Sequence, residues 1–205
     1  MEERKVILTL HIGGNVYEDP CRIWIKEYRS IITTFLKNVK EVLDLGTNGM
    51  LNIRLVSEVI PQARITSVDN VHKNLDLAMK EYRDLISSRK LDLKLMSLER
   101  LEFKDESFDA VISFNTLHRS KDIFSLLREA LRVTKRGGII ILCDWGPSAS
   151  FLKCTKEPAD KLAQIMSNTL VEIERMQSIL GNELIKEAIM VITPVYVLVL
   201  RKGKE

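Results

Sequence analysis

EVLDLGTNGM, residues 41–50, is an apolar strand-like run that ends in a glycine-bearing turn. Directly after it, Met50, Leu51, Ile53, Leu55 and Val56 recur near helical spacing until Pro61 stops the element. Strand, tight turn and amphipathic helix form the first half of a βαβ unit, and the chain repeats the pattern on both sides of this one. A second strand is expected at 64–68, followed by a helix carrying Leu75, Ala78, Tyr82, Leu85 and Ile86. A third is expected at 91–96. FDAVISF at 108–114 is apolar almost throughout, as a strand buried on both faces of a parallel sheet must be. A helix at 123–133, a Gly137-Gly138 turn and a fifth strand at 139–143 complete the series.

After residue 145 the order changes. Residues 161–180 read as one long helix with Leu162, Ile165, Ile173 and Met176 on one face and Gly181 as its cap. Runs at 185–192 and 195–200 follow, separated only by Thr193-Pro194, too short a link for a parallel crossover. They are expected to pair as an antiparallel hairpin. Ahead of residue 41, residues 6–12 read as a strand, Gly13-Gly14 as a turn and 23–36 as a covering helix. The fold class is therefore α/β, a doubly wound, seven-stranded, mostly parallel sheet ending in an antiparallel hairpin.

Composition narrows the function classes. With 205 residues, 45% hydrophobic and 29% charged, the chain reads as one globular domain. The net charge of +3 is spread over 31 basic and 28 acidic residues, so no basic stripe points to nucleic acid. Three cysteines without a CxxC pair indicate neither a zinc site nor a disulfide framework. No run approaches the roughly 18 apolar residues of a membrane span, and MEERK followed by a short apolar run is unlike a signal peptide. A cytoplasmic protein is expected, with no membrane association. Oligomeric state leaves no trace in the sequence.

In open α/β sheets ligands bind at the carboxyl ends of the strands where strand order reverses, which directs attention to the turn after Leu45. Gly46 and Gly49 permit a tight corner there, which is either a structural turn or a close approach to a ligand. Asp69 stands 23 residues after Gly46 (69 − 46), near the spacing at which a carboxylate accepts both hydroxyls of a ribose. It is also well placed to cap the next helix, and the two roles are compatible.

Four stretches in order, EVLDLGTNG, SVDNVHKNLDLAMK, LERLEFKDESFDAVISFNTLHRSKD and LLREALRVTKRGGIIILCDW, resemble the core of class I S-adenosylmethionine-dependent methyltransferases, in particular the small-molecule branch close to the quinone-biosynthesis enzymes. The resemblance runs from Lys40 to Trp145 and implies a Rossmann-like methyltransferase fold. It divides the chain into a cap segment, 1–39, a cofactor-binding core, 40–145, and a C-terminal helix and hairpin, 146–205. It implies S-adenosylmethionine as cofactor. Asp44, Gly46, Thr47, Asn48 and Gly49 would form the methionine-side loop, Asp69 and Asn70 would hold the ribose, Ser97 and Leu98 would face adenine, and Asn115 would face the methionine portion.

The family's turn alternates three glycines, where this chain has Asn48 and Met50 at two of the places; its adenine-facing Asp is replaced by Ser97. The implied function is methyl transfer to a small molecule, with protein or RNA less favoured as acceptor. The alternative is an inactive relative serving as a binding or scaffold subunit. A nicotinamide oxidoreductase is disfavoured by the lack of GxGxxG. For an acceptor that must lose a proton, His118 is the expected general base; the competing reading is a loop histidine bonded to backbone. Asp144 and Trp145 would stand on the same rim. Tyr17 and Trp24 are candidate lid residues, with Trp24 as core the simpler reading.

Overall fold

Alternating apolar runs and amphipathic segments resolve into strands and helices close to those expected. The computed structural model describes residues 7–9, 24–47, 50–151, 153–192 and 194–204. In chain order these are β1 (Ile7–Thr9), α1 (Trp24–Phe35), β2 (Glu41–Leu45), α2 (Leu51–Val59), β3 (Arg64–Asp69), α3 (His72–Glu81), α4 (Arg83–Ser87), β4 (Leu91–Leu95), β5 (Phe108–Phe114), α5 (Ile123–Val133), β6 (Thr134–Trp145), α6 (Ser148–Phe151), α7 (Ala159–Leu180), β7 (Leu184–Ile192) and β8 (Val195–Lys202).

One sheet takes up all the strands, in the order β1-β7-β8-β6-β5-β2-β3-β4. The five central strands run parallel, and β8 lies antiparallel between β6 and β7. The seven expected strands are all present. β1, inside the 6–12 run also read as a strand, makes a short eighth at the edge, pairing in parallel with β7. Strand order reverses between β2 and β5, which places the switch point at Gly46 on one side and Asn115 on the other.

Period-two alternation distributes the side chains between two cores. Val42, Ile112, Ile141 and Val197 face the layer formed by α1, α2 and α3, while Leu43, Val111, Ile140 and Leu198 face α5 and α7. Each fully buried Leu or Ile contributes on the order of 1.5–3 kcal/mol relative to exposure. No helix among the described residues is long and apolar enough to cross a membrane.

Three local expectations are revised. The helix after β3 divides at Tyr82, which leaves helical angles (φ −113°, ψ 37°) and reaches the Met50 carbonyl with its hydroxyl at 3.4 Å. The Gly137-Gly138 pair makes no turn between elements but lies inside β6, as a bulge where pairing jumps from Phe108–Thr134 to Ala110–Ile139. A Cβ on Gly138 would lie 2.8 Å from the Asp109 carbonyl, so the bulge requires glycine. Finally, Cys154 is disulfide-bonded, whereas Cys143 is a free thiol buried in β6.

Candidate functional site

Gly46, Asp69, Asn70, Leu98 and Asn115, drawn from four separate strand ends, line one cleft of about 230 Å³. Gly46 has φ +92°, where L residues are strained, and its amide donates to the Val68 carbonyl at 2.8 Å. A Cβ at this position would lie 2.1 Å from Thr116 Oγ1. That hydroxyl donates to the carbonyls of Leu45 (3.1 Å) and Phe114 (3.0 Å), locking the β5 loop against the β2 turn.

Asp44 and Thr47 lie beneath this surface and do not line it. Asp44 accepts from Asn52 Nδ2 at 2.7 Å and from Ser67 Oγ at 2.6 Å; Thr47 Oγ1 meets Ser67 Oγ at 2.8 Å. The Tyr28 hydroxyl donates to Asn52 Oδ1 at 2.8 Å, extending the chain of hydrogen bonds from α1 to the turn. Asn48 and Gly49 lie outside the described residues, as does Tyr17. Met50 takes the left-handed backbone expected of a glycine (φ 55°), but its side chain turns into the core and leaves the cleft open.

Burial pushes the Asp44 carboxyl up to about 7, against the pull of the Ser67 and Asn52 hydrogen bonds, with the charge of Asp69 adding to the rise. A raised acid favours folding in its neutral form. Its contribution is complete below the unfolded value near 3.8 and is lost as pH rises through about 7. Asp44→Asn is therefore expected to gain stability relative to wild type between pH 5 and pH 8, by roughly 1–3 kcal/mol in urea unfolding. A constant difference across that range would refute the assignment.

Asp69 is buried, accepting from the Val71 amide at 2.8 Å and from Asn74 Nδ2 at 3.0 Å. These bonds form an Asx turn ahead of α3 and not the expected helix cap, since the N-cap is Val71 without a side-chain cap bond, and each oxygen keeps acceptor capacity toward the cleft. Asn115, held at φ 57°, has a buried Oδ1 with no hydrogen-bond partner. An unpaired buried acceptor costs about 1–3 kcal/mol, so this atom calls for a donor from a ligand.

Ser97 is exposed and stands off the cleft, contrary to its expected role. Its hydroxyl instead donates to Glu99 Oε2 at 2.8 Å, and Ser120 Oγ donates to Glu99 Oε1 at 2.9 Å. Glu99, not foreseen, lines the cleft beside Leu98. Burial opposes its ionisation, but the two hydroxyls and backbone amides hold it below the usual carboxylate range.

His118 is likewise not in the cleft wall. Its side chain is 2% exposed, with Nδ1 donating to Asp144 Oδ1 at 2.8 Å and Nε2 accepting from Arg119 Nε at 3.1 Å. Arg119 does line the cleft. Trp145 is half-buried, its ring 5.9 Å from Phe114 and 6.0 Å from Trp24, so Trp24 belongs to an aromatic cluster in the core. No local signal marks Asn52, Ser67, Thr116 or Glu99, because each has a partner at least 8 residues away, and Arg119 is placed through His118, itself paired with Asp144 26 residues on.

An unpartnered carbonyl oxygen at Asn115 and carboxylates at Asp69 and Glu99, beside apolar Leu98, give the cleft acceptors for a ligand rich in hydrogen-bond donors. The family described as "Methyltransferase domain" matches residues 43–142, the stretch that builds the cleft. The biotin biosynthesis bifunctional protein BioHC of Teredinibacter turnerae is 31% identical over 144 residues, covering 67% of this chain and 25% of that protein. The demethylmenaquinone methyltransferase of Thermotoga maritima is 31% identical over 110 residues, covering 54% of this chain and 45% of its own length. The chain thus spans less than half of either relative. A solved S-adenosylmethionine-dependent methyltransferase from Aquifex aeolicus shares the fold, with a TM-score of 0.64 at 16% identity, over 90% of this chain and 99% of that one.

Proposed function

Given that the chain belongs to the class I S-adenosylmethionine-dependent methyltransferase family, on the branch close to the quinone-biosynthesis enzymes, we propose that it transfers a methyl group from S-adenosylmethionine to a small-molecule acceptor. The observation that carries this reading is the row of groups along the ends of β5, β2, β3 and β4: Asn115, Gly46, Asp69, then Leu98 and Glu99. The row follows the order of methionine, ribose and adenine along the cofactor.

Bound in this cleft, S-adenosylmethionine would supply an activated methyl carbon for in-line attack by the acceptor, with the thioether sulfur as leaving group keeping the C–S electron pair. The chain's own residues hold and align. Asn115 Oδ1 receives the ammonium, the Gly46 turn lets the ligand approach the backbone, and Asp69 accepts the ribose hydroxyls. Leu98 covers the base, and the Glu99 carboxylate accepts its amino group in place of the aspartate that Ser97 replaces. Alignment of this kind lowers a barrier by about 7–11 kcal/mol. A general-base role for His118 requires Arg119 first to release its Nε2. A cytoplasmic location is proposed with this reading; the Cys154 disulfide, a bond rare in a reducing interior, counts against it.

The test is calorimetric titration with S-adenosylhomocysteine alongside S-inosylhomocysteine, in which a carbonyl oxygen replaces the amino group that Glu99 would accept. The first should bind and, at about 100 times its Kd, stabilise the fold by about 2.7 kcal/mol. The second should bind about tenfold more weakly, one lost hydrogen bond to a charged acceptor. Absence of any thermal shift at millimolar S-adenosylhomocysteine would overturn the enzymatic reading and favour the scaffold alternative.

A further inference from the structure

Arg119 is anchored in a way the cofactor does not explain. Its Nε donates to His118 Nε2 at 3.1 Å, and His118 is clamped to Asp144 twice, through Nδ1 (2.8 Å) and through its backbone amide to Oδ2 (2.9 Å). The Trp145 amide, at 2.7 Å, completes the shell around Asp144. The side chains of His118 and Asp144 are 2% and 0% exposed, so a buried, directional chain of hydrogen bonds ends on one cleft-lining guanidinium. Because Asp144 accepts only, Nδ1 carries the imidazole proton and Nε2 is left as the acceptor for Arg119.

The remaining face of the guanidinium is uncommitted. Among the described residues, neither terminal nitrogen has a hydrogen-bond or ion-pair partner. Among the described residues no carboxylate pairs with Arg119, and Glu157, whose charge it feels, is bonded to Lys161 Nζ at 2.6 Å. A guanidinium held by its Nε presents its two terminal nitrogens as a planar fork, the geometry that matches a carboxylate or phosphate. The anchor runs to β6, separated from the Asp69 strand by β5 and β2.

We propose that Arg119 is the anion receptor of this cleft, so that the methyl acceptor carries a carboxylate or phosphate group bound by its two terminal nitrogens, with His118 and Asp144 as positioning residues. The proposal rests on the methyltransferase reading for the identity of the anion as acceptor. Binding of the anion itself does not.

The experiment uses the full chain, with and without saturating S-adenosylhomocysteine, titrated calorimetrically with malonate and with inorganic phosphate at constant ionic strength in chloride. Binding of one or both is expected, with the stronger naming the acceptor's anionic group. Arg119→Gln should weaken it about tenfold or more, the loss of a bidentate charged pair, while S-adenosylhomocysteine affinity stays within about threefold. His118→Gln, which keeps an acceptor for Arg119 Nε, should retain the anion affinity that His118→Leu loses. Exposed Arg119 tolerates replacement without unfolding, so Arg119→Gln decides the matter even if His118→Leu fails to fold. Equal anion binding by wild type and Arg119→Gln, or none by wild type, overturns the proposal. Loss of S-adenosylhomocysteine binding with anion binding intact would strike the functional reading alone.

Discussion

Asp69→Asn is expected to weaken S-adenosylhomocysteine binding by about 100-fold or more while leaving the fold in place. The carboxylate stands at the end of β3, buried, with the Val71 amide and Asn74 Nδ2 fixing its orientation. Two ribose hydroxyls donating to a charged acceptor are worth about 1.5 kcal/mol or more each, and 3 kcal/mol is roughly two decades in affinity. Asparagine preserves volume and one acceptor, so the Val71 bond survives. The replaced oxygen becomes an NH₂ that faces hydroxyl and Asn74 donors without accepting. Calorimetric titration measures the effect, and circular dichroism checks the fold. An affinity within about threefold of wild type would show that ribose does not sit at Asp69.

A second large effect is expected at Gly46. Alanine there must adopt φ near +92°, in a region that costs non-glycine residues of order 1–3 kcal/mol, and its Cβ would overlap Thr116 Oγ1 at 2.1 Å. Thr116 cannot yield freely, because its hydroxyl is bonded to the Leu45 and Phe114 carbonyls. Gly46→Ala should therefore lose about 3 kcal/mol or more in urea unfolding, together with measurable cofactor binding. Adding Thr116→Ala should return the steric part and leave the backbone part. If Gly46→Ala unfolds within about 0.5 kcal/mol of wild type, the turn is not under the constraint described.

Asp69 and Gly46 were both readable without coordinates, since each belongs to a local pattern: a strand's end, a turn's glycine, and a fixed interval between them. Glu99 shows the opposite case. The family pattern pointed two residues upstream to Ser97, and only the loop after β4 turns Glu99 into the cleft, with Ser97 and Ser120 as its supports. His118 is similar. In the sequence it is a loop histidine near a rim, whereas the structure pairs it across 26 residues with Asp144 and hands the cleft position to Arg119. Met50 stands where the family's turn has a glycine. Its backbone does take the strained left-handed angle, but the side chain finds space in the α1–α2 core.

By itself the sequence determined the secondary elements, their alternation, the closing hairpin and the two strand ends where a nucleoside would be held. These depend on spacings within a window of about 30 residues, where helix and strand periodicities and the demand for glycine at a corner act directly. Tertiary structure alone decided which polar groups share the cleft and which lie under it: the Tyr28–Asn52–Asp44–Ser67 layer, the Thr116 lock, the Glu99 carboxylate and the arginine held by His118. The reason is physical. Strand order and register set the distances between side chains on different crossovers, and these follow from burying both faces of the whole sheet at once.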